Sequence, residues 1–208
     1  DDPSKPEEKE IRFYDGETNP AQYTPATDWN AAGATILEDI AVVCGDLAAK
    51  GLPATDLIVA PDVGSTILHD AEIQKLLDNR NINIGGVDPE KLPNGATKIA
   101  RLNCNGHVVD VLQYSDTYTN DDDENVSFIP AGKAILTAPG CGRTLYGAVS
   151  QVEQEDNLFH TYTGKRIPKF VGSAGSNTRE LYLTSCPLCI PNNKDAWIVI
   201  NAINPSKD

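Results

Sequence analysis

The strongest helical spacing of apolar positions lies in 29-WNAAGATILEDIAVVCGDLAAKG-51, where Trp29, Ala32, Ile36, Ile40, Val43 and Leu47 fall on one face. Thr27 or Asp28 stands where a cap is needed, and Gly51 followed by Pro53 supplies the stop. One long helix is predicted. The next segment, 56-DLIVA-60, is short and strongly apolar, so it is predicted to be a strand buried on both faces. Pro61 suits a first helical position, and residues 62–79 read as one or two helices. Upstream, 10-EIRFY-14 alternates like a strand and ends at the Asp15-Gly16 turn signal. Residues 17–27 lack periodicity and are expected to form an irregular crossover, and the polar first ten residues a tail.

Beyond the helices, 80–97 is rich in Gly, Pro and Asn and reads as a long loop. The remainder of the chain is mostly strand: 98–102, 107–114, 126–129, 133–137, 143–149, 158–163, 166–170, 178–185 and 196–201. The polar stretch 115–126 reads as a hydrated hairpin between two of them. A strand, two or three helices around another strand, then a run of strands implies an α+β fold without a repeating βαβ pattern. No internal repeat is present.

Composition narrows the function classes. The 208 residues carry 30 acidic and 17 basic side chains, a net charge of −13. Such a surface repels nucleic-acid phosphates and argues against sequence-specific DNA binding. The charge is densest in 1-DDPSKPEEKE-10 and in Asp121, Asp122, Asp123 and Glu124. No apolar run approaches the roughly 20 residues a membrane helix needs. Asp1 comes first and there is no methionine, so the sequence reads as a piece of something longer. Five cysteines, an odd number, fit a reducing compartment. Cys186 and Cys189 have CxxC spacing, but no second ligand pair accompanies them. They also come after a strand-like segment and are not placed at a helix start, so a structural role is expected for them.

One segment sounds like chemistry: Gly140-Cys141-Gly142-Arg143-Thr144 after the apolar 134-AILT-137. A phosphate-binding loop needs G-x-x-x-x-G-K-[ST] and then a helix whose N-terminus faces the anion. Here Thr137 occupies the first glycine position, Arg143 occupies the lysine position, and 145-LYGAVSQV-152 is a poor helix start. A degenerate nucleotide-binding loop around Gly140–Thr144 is therefore the weaker alternative. No H-E-x-x-H occurs, 172-GSAGS-176 departs from G-x-S-x-G, and the acidic run lacks calcium-loop spacing. Asp62 and His69 lie seven apart on one helical face, a pair more often structural than catalytic. Nothing assembles an active site, so neither catalysis nor a cofactor or metal is expected.

The block 126-VSFIPAGKAILTAPGCGRTLYGAV-149 resembles a signature of tailed-phage major capsid proteins, the group of the lambda-type capsid protein E. In 112-LQYSDTYTNDDDENVSFIPAGKAILT-137 a strand ending in Tyr, a second Tyr, an acidic hairpin and F-I-P-x-G-K come in the family's order. The segments 142-GRTLYGA-148 and 180-ELYLTSCPLCIPNNKDAW-197 are similar to its later motifs, and the order of 56-DLIVAPD-62 and 63-VGSTILHDAEIQKLL-77 matches as well. The similarity runs from about Glu10 to Asn201; cysteine at 186 and 189, where small residues or proline are more typical, is a departure.

This resemblance implies a Hong Kong 97-type capsid fold without its N-terminal arm, its extended loop and most of its spine helix. It places residues 1–27 in a tail and a peripheral-domain strand, and 28–150 in the axial domain. Residues 151–194 would form peripheral strands, and 195–208 a last strand returning to the axial domain. It implies a non-catalytic subunit of an icosahedral head, made in the bacterial cytoplasm. That subunit would associate with copies of itself, as pentamers and hexamers in the full-length protein, and with decoration, scaffold and portal proteins. It would enclose DNA without reading it, and an acidic subunit suits that task because a basic lining would trap the genome. Gly140, Gly142 and Gly147 would then serve chain geometry, with Arg143, Asp121, Asp122 and Asp123 as candidate inter-subunit contacts.

Overall fold

The computed structural model describes residues 20–78, 85–86, 90–173 and 175–204. The strand expected at 10–14 lies outside the described residues. The chain divides into two compact units, one of residues 1–141 with 193–208 and one of residues 142–192.

The larger unit begins with strand β1 (Ala21–Tyr23), inside the stretch expected to be irregular. Helix α1 spans Ile36–Ala49 and buries Ile36, Ile40, Val43, Cys44 and Leu47, the face its spacing predicts. It starts seven residues later than Trp29. Gly33 takes a left-handed φ of 84°, and the Trp29 N–H donates to the Ala202 carbonyl at 2.8 Å, which holds 29–34 in turns. The helix ends as read: Gly51 has φ 75°, its N–H donates to Ala48 O, and Leu52 N–H reaches back to Leu47 O.

Strand β2 (Asp56–Val59) alternates, with Leu57 and Val59 buried and Asp56 and Ile58 half-buried, so it is packed more fully on one face than on both. Pro61 opens α2 (Pro61–His69). The Asp70 carboxylate accepts the Glu72 and Ile73 N–H groups at 3.0 and 2.9 Å, capping α3 (Ala71–Asp78) and splitting the region into two helices. Short strands β3 (Gly85–Gly86) and β4 (Glu90–Lys91) precede the long hairpin of β5 (Thr97–Cys104) and β6 (His107–Gln113). Then come β7 (Thr117–Thr119), β8 (Asn125–Ser127) and β9 (Lys133–Thr137).

The smaller unit holds β10 (Gly142–Tyr146), β11 (Ala148–Val152), β12 (Phe159–Thr163), β13 (Ile167–Ser173), β14 (Thr178–Thr184) and β15 (Pro187–Pro191). The chain returns to the larger unit through β16 (Trp197–Asn201). The expected strand at 143–149 is thus two strands broken at Gly147, and 187–191, which is not among the expected strands, is a strand.

One mixed sheet of eight strands organises the larger unit, in the order β1-β16-β9-β2-β6-β5, with β3 and β4 both on β5. Pairs β1–β16 and β2–β6 are parallel; the others are antiparallel. The apolar face of α1 packs in one cluster with Leu57, Val59, Val109, Val111, Leu136, Ile198 and Ile200. Each such fully buried aliphatic side chain contributes about 1.5–3 kcal/mol relative to exposure. The chain is therefore a sheet-rich mixed fold with three helices among the described residues. None of these helices is long and apolar enough to cross a membrane.

The smaller unit is built differently. It consists of three two-stranded antiparallel ladders, β10–β15, β11–β12 and β13–β14. Among its described residues Ile167 is the only one fully buried.

Candidate functional site

The segment that sounded like a phosphate cradle turns at Pro139-Gly140, where Gly140 takes a left-handed φ of 66° with open space around it. Gly142 needs no such freedom. It already opens β10 opposite Pro191. Gly147 separates β10 from β11 and donates its N–H to the Cys186 carbonyl at 2.8 Å. A side chain there would start 3.2 Å from the Cys186 sulfur. Because 142–146 is a strand, no helix N-terminus comes after the glycines to face an anion.

Arg143 is exposed on β10 opposite Ile190, and no carboxylate pairs with it among the described residues. Asp121, Asp122 and Asp123 form the tip of the β7–β8 hairpin and are exposed. Asn120 organises that tip: its Oδ1 accepts the Asp122 and Glu124 N–H groups at 3.0 and 2.8 Å. Asp123 takes φ 60°, which a short polar side chain tolerates. At the hairpin base, the Phe128 ring lies 5.0 Å from Tyr118 and 5.9 Å from Tyr114. The acidic tip and Gly140 belong to the larger unit, while Arg143 and Gly147 belong to the smaller one.

The remaining candidates are tied up in structure. Asp62 accepts the Gly132 N–H at 2.7 Å, and His69 Nδ1 donates to the Ser65 carbonyl at 2.8 Å, so the two do not act as a pair. A polar hollow of about 420 Å³ beside them is lined by Trp29, Ser65, Thr66, His69 and Asp70, but Asp70 is spent on its helix cap. Among the described residues no three His, Cys, Asp or Glu converge as metal ligands. Cys186 and Cys189 are exposed thiols. They lie three apart along extended chain at β15, so they point to opposite faces roughly 10 Å apart, beyond disulfide reach. Cys44 and Cys104 are buried, and burial pushes their thiols up to about 11 and about 12, leaving them unreactive.

What sequence reasoning missed is an open apolar face on the smaller unit. In the β13–β14 ladder Pro168 lies opposite Leu183, Phe170 opposite Leu181, and Gly172 opposite Arg179. These pairs share one face, and Phe170, Leu181 and Leu183 are 49%, 55% and 63% exposed. The other face carries Ile167, Lys169, Val171, Glu180 and Tyr182. The signal was present as the alternation of 179-RELYL-183, but alternation normally marks a face that its own chain covers.

Known proteins share this fold. A model of the family described as phage major capsid protein E matches residues 8–202. Among solved structures, one from E. coli CFT073, described as the "putative capsid protein of prophage", is similar with a TM-score of 0.62 at 18% identity, covering 86% of this chain and 51% of that one. A phage-related protein from Bordetella bronchiseptica RB50 is similar with a TM-score of 0.52 at 12% identity, covering 89% of this chain and 56% of that one. The chain thus spans about half the length of both structures. No curated protein matches it.

Proposed function

Because the chain belongs to the phage major capsid protein E family, a family of structural proteins, we propose that it is the larger part of a head subunit that self-assembles into an icosahedral shell around DNA. The observation that carries this reading is the family match over residues 8–202, nearly the whole chain. The Hong Kong 97-type fold is part of the proposal, with the eight-stranded sheet as the axial domain and the ladder unit as the peripheral one. The subunit needs no catalytic group, and its partners are its own copies first, then decoration, scaffold and portal proteins. It is made in the host cytoplasm and ends in the virion.

Physically, a shell requires many weak contacts that add up. Identical subunits meet through heterologous patches that close into rings, and multivalency makes the assembly far more stable than any pair. A unit of thin ladders with exposed apolar side chains suits this role, since its burial has to come from outside itself.

The test is composition. In DNA-filled, nuclease-resistant particles banded from producing cells, peptides of this chain are expected at the highest copy number of any protein. Particles that lack them overturn the reading.

A further inference from the structure

The net charge is not spread evenly over the two units. Residues 142–192 carry five basic side chains (Arg143, Lys165, Arg166, Lys169, Arg179) and four acidic ones. The whole of the −13 excess therefore resides on the larger unit. Contacts between the larger units of two copies bring net like charge together, so they need local compensation. A contact from the smaller unit of one copy to the larger unit of the next meets no such repulsion.

Two surfaces match in chemistry as well as in charge. On β13–β14 the exposed Phe170, Leu181 and Leu183 form one apolar face, and the Arg179 guanidinium lies over the Phe170 ring, 4.3 Å from its centre. The β7–β8 hairpin exposes aromatic surface at Tyr118 (44%) and Phe128 (52%), beneath its tip of three aspartates. Apolar meets aromatic, and a cation meets carboxylates.

We propose that the apolar face of β13–β14 is a docking surface for a second copy of this chain and seats that copy's β7–β8 hairpin, with Arg179 against Asp121–Asp123. The contact is heterologous, because the two patches belong to different units, so it propagates from copy to copy into rings or strings. The inference rests on the shell reading for the existence of neighbouring copies, but the surface and its occupant come from exposure, register and charge.

The experiment uses the 208-residue chain with a benzophenone side chain placed at position 170. On irradiation at high protein concentration, intermolecular cross-links into residues 114–128 are expected. Cross-links within one chain, between two β13–β14 faces, or none up to about millimolar concentration overturn the proposal. In sedimentation velocity, Phe170→Ser with Leu183→Ser is expected to weaken association at least about tenfold, as loss of a central apolar anchor does. Phe170 is 49% and Leu183 63% exposed, so the variant keeps its fold, which circular dichroism checks. Arg179→Glu is expected to weaken association, and Asp121→Lys with Asp122→Lys in the same chain to restore it. Failure of that charge swap counts against the register proposed. Particle composition tests the shell reading separately, so either conclusion can fall while the other stands.

Discussion

Trp29 donates its indole N–H to the Asp39 carboxylate at 3.0 Å, although the tryptophan lies in a turn and the aspartate in the first turn of α1. Both are buried, at 2% and 7% exposure. The other Asp39 oxygen accepts the Tyr23 hydroxyl at 2.7 Å, so one carboxylate ties β1, the turn and the helix together. A buried acid without a cation is tolerable here. Two hydrogen bonds satisfy it, and the N-terminal end of the helix dipole favours its charge.

Replacing that acid is expected to cost more than a typical core substitution of equal volume. Asp39→Leu leaves the buried Trp29 donor and the half-buried Tyr23 hydroxyl unpaired, and a buried unpaired donor costs about 1–3 kcal/mol, so urea unfolding should show a loss of about 2 kcal/mol. Trp29→Phe deletes one donor and keeps most of the ring, and should cost clearly less. A loss below about half a kcal/mol for Asp39→Leu would show that the network is idle.

The same tyrosine makes stability fall in alkali. Burial, with the Asp39 carboxylate beside it, pushes the Tyr23 hydroxyl up to about 12 from an ordinary 10.0. Between those values the folded chain keeps a proton that the unfolded chain has lost, so rising pH favours unfolding. Burial gives Cys44 and Cys104 the same sign, from an ordinary 9.0 to about 11 and about 12. The urea midpoint is therefore expected to be level to about pH 9 and to decline through pH 12. In Tyr23→Phe the part of the slope above pH 10 should flatten, and an unchanged slope would remove Tyr23 from the account.

Among the described glycines, Gly132 leaves the least room for a side chain. Its φ is 74°, and an added Cβ would stand 2.2 Å from the Ile203 carbonyl oxygen, which belongs to backbone and cannot swing aside. Its N–H is held by Asp62, and its carbonyl accepts the Ile203 N–H at 3.0 Å. Gly132→Ala is expected to cost about 3 kcal/mol or more, against about 1 kcal/mol for Gly140→Ala, where only the left-handed backbone resists. Equal losses at the two sites in thermal unfolding would contradict this ranking.

Thiol labelling separates the cysteines. Cys186 and Cys189 are expected to react with a disulfide reagent within seconds to minutes, half-buried Cys141 more slowly, and Cys44 and Cys104 only on unfolding. Mild oxidation should not join Cys186 to Cys189 within one chain. An intramolecular bridge found by mass spectrometry would mean that β15 is not extended there.

Much of this protein was legible from local pattern. The apolar face of α1, its stop at Gly51, Pro61 opening α2 and most of the β5-to-β16 strands arise from spacing, capping and turn chemistry that act within a few residues. The failure of the Gly140–Thr144 segment as a phosphate cradle was visible in the same way, because it depended on which element could begin at Gly142. Family membership was readable from the order of motifs between residues 112 and 197.

Tertiary structure decided the rest. Residues 29–34 have helical spacing, yet the Trp29 amide bonds to Ala202 and its indole to Asp39, and these long-range bonds outweigh a weak local preference. Strand β1 exists because β16 offers it a parallel edge, a partner far away in sequence. Whether an alternating strand covers its apolar side is also not a local property. In β5 and β6 the chain itself supplies the cover, whereas in β13 and β14 it leaves Phe170, Leu181 and Leu183 to water. Pattern says which side chains share a face; only the packed fold determines what, if anything, lies against it.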